Sequence, residues 1–187
     1  MTEIIIWNLI TLNGFYNGTE DWQIDWHNQV WGEELEQFSI QQFEEIDCLI
    51  FGRKTYEGMA DYWQNAEGQV ADLMNAIPKM VFSKTLEKVT WNNTELIKED
   101  VVTYINRMVN AKSDNTDKMF IFGSGELVSA LHDARLIDEY RLCISPVILG
   151  KGKPMFKPSD NDMNLTLQKA KVLQSGGIIM WLTPKSE

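Results

Sequence analysis

The sequence offers little for covalent or metal-based structure. Its two cysteines, Cys48 and Cys143, lie in separate apolar runs, "DCLIF" and "RLCISPVIL", and no CxxC pair occurs. A disulfide scaffold, a zinc ribbon and a thiol redox motif are therefore excluded, and both thiols read as core. The two histidines, His27 and His132, fit no HExxH or other ligand spacing, so no metal is expected. Positive charge is also short: 17 Lys and Arg stand against 27 Asp and Glu, a net charge of -10. That argues against nucleic acid as a partner, because a phosphate backbone needs a basic surface. It leaves room for one small anion held by a few local cations. The apolar start "IIIWNLITL" has no cationic leader and is too short to span a membrane. No membrane partner and a cytoplasmic location are expected, which makes the Asn-x-Thr triplets at Asn17, Asn92 and Asn164 chance matches.

What is present is an ordinary globular composition, 44% hydrophobic and 24% charged over 187 residues. That favours one domain, residues 1–187, with a core that needs no staples. Residues 3–12 read as a buried strand closed by the turn Asn13-Gly14. Leu35, Phe38, Phe43 and Ile46 share a helical face and predict a helix over 33–46. "CLIF" is a short strand ended by Gly52. Val70, Leu73, Met74 and Ile77 mark a helix stopped by Pro78, and "KMVFS" follows as a strand. Val101, Val102, Ile105, Met108 and Val109 mark a long helix with Glu99 and Asp100 at its positive end. A polar surface loop is expected over 112–118. "MFIFG" is a strand, Leu127, Ala130, Leu131 and Ala134 give the next helix, and "EYRLCISPVIL" is a long strand. "NLTLQKAKVLQ" and "GIIMWLTP" flank Ser175-Gly176 as a closing hairpin. Alternating strands and helices followed by strands predict an α/β fold with a mostly parallel sheet and an antiparallel edge.

Ligands of open α/β sheets bind at the carboxyl ends of the strands. Three strand ends carry the right chemistry. In "FGRKTYE" a strand gives way to Arg53, Lys54 and Thr55, with Thr55 placed to cap a helix. A helix start with cations suits a phosphate, although solvated cations on a capped helix give the same pattern. In "IFGSGELVSAL" Gly123 and Gly125 bracket Ser124 before a helix. Val128 stands where the dinucleotide fingerprint needs a third Gly or Ala, and no GK[ST] follows, so this is neither a Rossmann nor a P-loop motif. A tight turn and a phosphate cradle remain equal readings. In "VFSKTL" Ser83 and Lys84 end a strand with a hydroxyl and a cation. A ligand with several phosphates would answer all three.

The order of "LITLNGFYNG", "DCLIFGRKTYEGM", "MVFSKTL", "FIFGSGELVSAL" and "DEYRLCISPVILGKGKPMF" resembles the dihydrofolate reductase-like superfamily. The branch it is most similar to holds stand-alone proteins like the C-terminal reductase domain of bacterial riboflavin biosynthesis. The resemblance covers nearly the whole chain. It implies a three-layer fold, a central mixed and mostly parallel sheet flanked by helices, and NADPH as cofactor. By resemblance, Asn13 joins the cofactor site, and Arg53, Lys54 and Thr55 lie along the cofactor phosphates. Ser83 and Lys84 meet the adenosine 2′-phosphate, and Gly123, Ser124, Gly125, Glu126 and Leu127 wrap the pyrophosphate. Many relatives read "LDG" where this chain has Leu12-Asn13-Gly14, and Asn13 cannot take up a proton as a carboxylate can.

Hydride transfer needs an electrophilic ring held against a nicotinamide, and a proton source. The acidic aromatic segment 20–34 is the expected roof of the substrate pocket. Trp22, Trp26, His27 and Trp31 are its candidate substrate contacts. Asp25, partly desolvated, or Glu33 or Glu34 on the following helix is the candidate acid. Equally, the tryptophans would simply cover the sheet and Asp25 cap a turn. His132 is expected on the surface and Tyr56 in the core. Lys151 and Lys153 in "GKGKPMF" suit a substrate phosphate or a hairpin turn. The expected function is an NADPH-dependent reductase of a small pteridine- or pyrimidine-type compound; the alternative is a nucleotide-binding protein without turnover. "EYRLCISPVIL", read as an exposed strand, makes a homodimer the expected assembly.

Overall fold

The computed structural model describes residues 2–111, 116–159 and 162–185. The loop expected over 112–118 falls in part outside them. The first strand, β1 (Glu3–Thr11), sets the frame. Ile4, Ile6 and Ile10 point into one core and Ile5 and Trp7 into another. A strand buried on both faces must be apolar nearly throughout, which is why its sequence does not alternate. It is followed by the three-residue β2 (Phe15–Asn17), the helix α1 (Glu33–Phe43) and β3 (Cys48–Gly52). Helices α2 (Arg53–Trp63) and α3 (Gln69–Ala76) lead to β4 (Lys79–Phe82). Next come β5 (Thr94–Ile97), α4 (Val101–Asn110), β6 (Lys118–Phe122), α5 (Gly125–Asp133) and β7 (Glu139–Ser145). The chain closes with the two-residue β8 (Lys153–Pro154) and the hairpin β9 (Leu165–Val172) and β10 (Ile178–Pro184).

The main sheet runs β5-β4-β3-β6-β1-β7-β10-β9. Its neighbours from β5 to β7 pair in parallel, and β10 and β9 are antiparallel to their neighbours. Side chains of α1, α2 and α3, such as Leu35, Tyr56 and Met74, cover one face. Those of α4 and α5, such as Ile105 and Val128, cover the other. The α/β class, the parallel majority and the antiparallel C-terminal hairpin are as expected. So are the burial of Cys48, Cys143 and Tyr56; the Tyr56 hydroxyl accepts the N–H groups of Thr90 and Trp91 at 2.8 and 3.1 Å.

Several local expectations change. The helix begun at Glu33 stops at Phe43, short of 46. The long strand stops at Ser145, before Pro146, which has no N–H to donate to a ladder. That strand is not exposed. It is buried and paired on both sides, by β1 and β10, and the free edge on its side of the sheet is β9. The strand β5, "TELI", was not foreseen; four half-polar residues carry no clear period, and pairing with β4 makes them a strand. "GKGKPMF" is not a hairpin turn: Lys153 and Pro154 pair with Asn17 and Phe15. His132 is half-buried, its Nδ1 2.8 Å from the Tyr140 hydroxyl.

Candidate functional site

Strands β3 and β6 are paired neighbours, and each runs directly into a helix at the same end of the sheet. At that junction Ser124 adopts a left-handed backbone, φ 55°, after Gly123 at φ 65°. The strain of a non-glycine residue there is offset by its hydroxyl. Ser124 Oγ accepts the Gly52 N–H at 2.7 Å and lies 2.9 Å from Thr55 Oγ1. Thr55 Oγ1 in turn accepts the Ser124 N–H at 3.0 Å. Asn8 Oδ1 of β1 accepts the Gly123 N–H at 2.9 Å. Glycine is required on both sides of this knot. A Cβ on Gly52 would lie 2.7 Å from Ser124 Oγ, and one on Gly123 would lie 2.9 Å from Thr55 Cγ2. Thr55 is thus not the cap of α2. Gly52 holds that position, and the Thr55 side chain is turned to Ser124.

The knot leaves two helix starts side by side with no side-chain cap on either. The first turn of α5 closes with Val128 N–H on Ser124 O, so the N–H groups of Gly125, Glu126 and Leu127 precede any intrahelical bond. Arg53, Lys54 and Thr55 occupy the matching positions of α2. Uncapped N–H groups and the positive ends of two helix dipoles that meet here favour an anion at this end of the sheet. The helix α4 differs: Asp100 caps it, accepting the Thr103 N–H at 3.0 Å.

The expected cofactor residues fall around this junction in different states. Arg53 pairs along α2 with Glu57 at 3.0 Å, and Lys54 pairs with Asp21 at 2.9 Å. Ser83 caps its own turn, accepting the N–H groups of Leu86 and Thr85. Lys84, one strand over from β3 at the end of β4, is exposed. Glu126 pairs with Lys157 at 2.6 Å. Asn13 is committed to the chain itself: its amide donates to Leu149 O at 2.7 Å and accepts the Leu149 N–H at 3.2 Å.

The expected roof divides. Asp25 opens a short 3-10 turn, Asp25–Gln29, and is exposed, so the desolvation supposed for it is missing. Glu33 is exposed too. Glu34 docks α1 onto the hairpin, accepting the Gln174 N–H at 2.7 Å. Trp22 and Trp31 are about half exposed, at 41% and 46%. Trp26 and His27 turn inward, their rings 4.3 Å apart edge to face. Their Nε1 and Nε2 atoms are buried with no hydrogen-bond partner among the described residues, a costly arrangement in a closed core. Asn8 Nδ2 and Ser145 Oγ, at the carboxyl-end halves of β1 and β7, are unpartnered in the same way. Neither was foreseen from the sequence. The available signal was a polar residue inside an apolar strand, as in "IIIWNLIT".

Burial lowers the His27 pKa from 6.5 to about 4. Its folded-state value lies below the unfolded one, so its contribution to stability is complete above about pH 6.5 and is lost as pH falls towards about 4. A His27→Gln variant is expected to lose less stability than the parent between about pH 7 and about pH 5, read by urea unfolding; equal losses would show that the ring is solvated. Ser124→Ala strands the Gly52 N–H and is expected to cost about 1–2 kcal/mol in the same assay; a change within about 0.5 kcal/mol would show that the knot is dispensable.

Comparison with known proteins bears on the fold and the family. Two Bacillus subtilis (strain 168) proteins, both uncharacterized, are similar along nearly their whole length. YyaP is 28% identical over 181 residues, 92% of this chain and 90% of its own. YwjB is 28% identical over 172 residues, 89% and 90% respectively. Among solved structures, a protein of Shewanella sp. PV-4 named for riboflavin biosynthesis superposes with a TM-score of 0.80 at 21% identity, covering 98% of this chain and 99% of that one. Acinetobacter baumannii RibD superposes at 0.74 and 13% identity, covering 99% of this chain but 58% of its own. These likenesses show a shared fold, with the chain spanning a little over half of the RibD protein. Residues 3–179 match the model of one family, and the chain belongs to it: the RibD C-terminal domain family.

Proposed function

We propose that this protein is an NADPH-dependent reductase that delivers hydride to a small heteroaromatic compound of pteridine or pyrimidine type. The observation that carries the reading is the pair of uncapped helix starts, α2 and α5, side by side at the ends of adjacent parallel strands. Membership of a family named for a riboflavin-biosynthesis reductase domain supports it. So does the name of a structural neighbour, a Thermotoga maritima deaminase/5-amino-6-(5-phosphoribosylamino)uracil reductase.

The residues present fit a dinucleotide. The first-turn N–H groups of both helices are donors without side-chain acceptors among the described residues, and the bare face of Gly125 lies under the Tyr16 ring. Arg53, Lys54 and Thr55 would hold phosphate oxygens from α2, and Gly123 to Leu127 from α5. Ser83 and Lys84 would meet a 2′-phosphate, with Lys84 supplying the charge. When bound, the cofactor supplies a hydride. The chain's own part is to orient the ring that receives it. Trp26 Nε1 can only donate, and His27 Nε2 is free to accept or donate according to its tautomer. A histidine held neutral down to about pH 4 suits hydrogen bonding better than storage of a proton. Asp25 and Glu33, both exposed, would then act only if the roof closes on substrate. That exposure favours a second reading, a protein that binds NADP(H) without turnover.

Titration of NADPH and NADH against tryptophan emission tests the cofactor. NADPH is expected to bind more tightly. Arg53→Ala is expected to weaken both nucleotides about tenfold, and Lys84→Ala to weaken NADPH alone by a similar factor. Absence of nucleotide binding would overturn the proposal. Loss of reduced-nicotinamide absorbance with a pterin or aminouracil would remove the non-catalytic reading.

A further inference from the structure

The segment after β1 lies across both helix starts. Tyr16 of β2 packs its ring on Gly125, where a Cβ would come within 2.6 Å of the ring carbon Cε1. Five residues on, Asp21 reaches α2 and accepts from Lys54 Nζ at 2.9 Å. Its other oxygen pairs with Lys153 of β8. Trp22 then lies against Gly58, one turn along α2 from Lys54, so closely that a Cβ there would overlap the indole. Trp22 holds a left-handed backbone to do so, φ 65°. The turn between these contacts is tied to itself. The Gly18 N–H donates to Gln23 O, and the Thr19 N–H to Gln23 Oε1. Two of these contacts, on Gly125 and Lys54, therefore land on residues that the proposed cofactor would use, and the other two hold the same stretch of chain beside them.

Two lysines from distant parts of the sequence meet at one carboxylate here. Both lie near the start of α2, and one anionic group of the size of a carboxylate already sits between them. We infer that Lys54 and Lys153 form a two-ammonium seat for a phosphate of the bound dinucleotide, and that Asp21 fills it as an internal substitute on a displaceable strap, residues 18–22, while β2 before it stays paired with β8. This rests on the NADPH reading above. Asp21 is exposed, as is much of the Lys54 side chain, so the pairs that hold the strap are weak and exchangeable. Trp22 adds apolar contact but leaves 41% of its surface in water. Entry of the ligand exchanges one carboxylate for a phosphate, and the charge balance of the two lysines is kept.

Three variants test this, with NADPH as the probe. Asp21→Asn removes the competing charge and keeps the shape. Gly58→Ala evicts Trp22 without touching a charge, and alanine favours the helix. Each is expected to tighten NADPH about three- to tenfold. Lys153→Met placed on Asp21→Asn is expected to loosen it again by a similar factor. Hydrogen exchange of residues 18–23 is expected to quicken in both single variants before nucleotide is added. If the parent binds NADPH and both single variants bind it equally or more weakly, the strap is part of the site, and this inference falls while the cofactor reading stands. If neither parent nor variants bind the nucleotide, both fall.

Discussion

The junction of β3 and β6 with the helices that follow them hangs on one hydroxyl. Ser124 Oγ joins Gly52, the last residue of β3, to Thr55 in the first turn of α2, while its own backbone begins α5. Strands β3 and β6 are already paired, so this extra tie fixes the helices that leave them as well. Serine is the residue that can do it. A glycine would accept the left-handed backbone but bring no oxygen, and a larger residue would meet Gly52. The tie engages the hydroxyl of Thr55, and the cap position of α2 falls to Gly52, which has no side chain to offer. The two helices start at the same place without side-chain caps, and N–H groups that lack side-chain acceptors favour an anion there.

A chain of net charge -10 needs to keep its few cations in place. It does so with carboxylates of its own. Arg53 is held by Glu57, Lys54 and Lys153 by Asp21, and Lys157 by Glu126. Buried cations are treated likewise. The Arg141 guanidinium, 3% exposed, is wrapped by Glu45, Glu139 and Gln42. Lys79, 2% exposed, donates hydrogen bonds to the carbonyls of Ile77, Asn92 and Asn75. The cations at the helix starts differ from these in being exposed, so their partners can be exchanged for a ligand at small cost.

How much of this the sequence disclosed depended on the range of the interaction. The fold was legible because apolar periodicity is local and both faces of the sheet are covered. The three strand ends were legible because glycine, hydroxyl and cation stand within a few residues of one another. Thr55 misled for the opposite reason: its partner Ser124 lies 69 residues away, and a lone Thr at a helix start reads as a cap. Asp21 and Tyr16 carry no signal, because nothing nearby in sequence shows that they land on Lys54 and Gly125. The candidate acid Asp25 was chosen on an assumed burial, and burial is decided by packing. The exposed strand assigned to residues 139–149 failed on topology, since β1 and β10 flank it. The expected homodimer therefore loses the strand it was argued from; the edges of the main sheet are β5 and β9.

The most direct test of the account follows the backbone amides while NADPH is added, by nitrogen–proton correlation spectra. The account predicts that the largest shifts fall on two separate triplets, 53–55 and 125–127, with Lys84 moving for NADPH and not for NADH. Shifts confined to other parts of the chain, or triplets that stay still while the nucleotide binds, would contradict it.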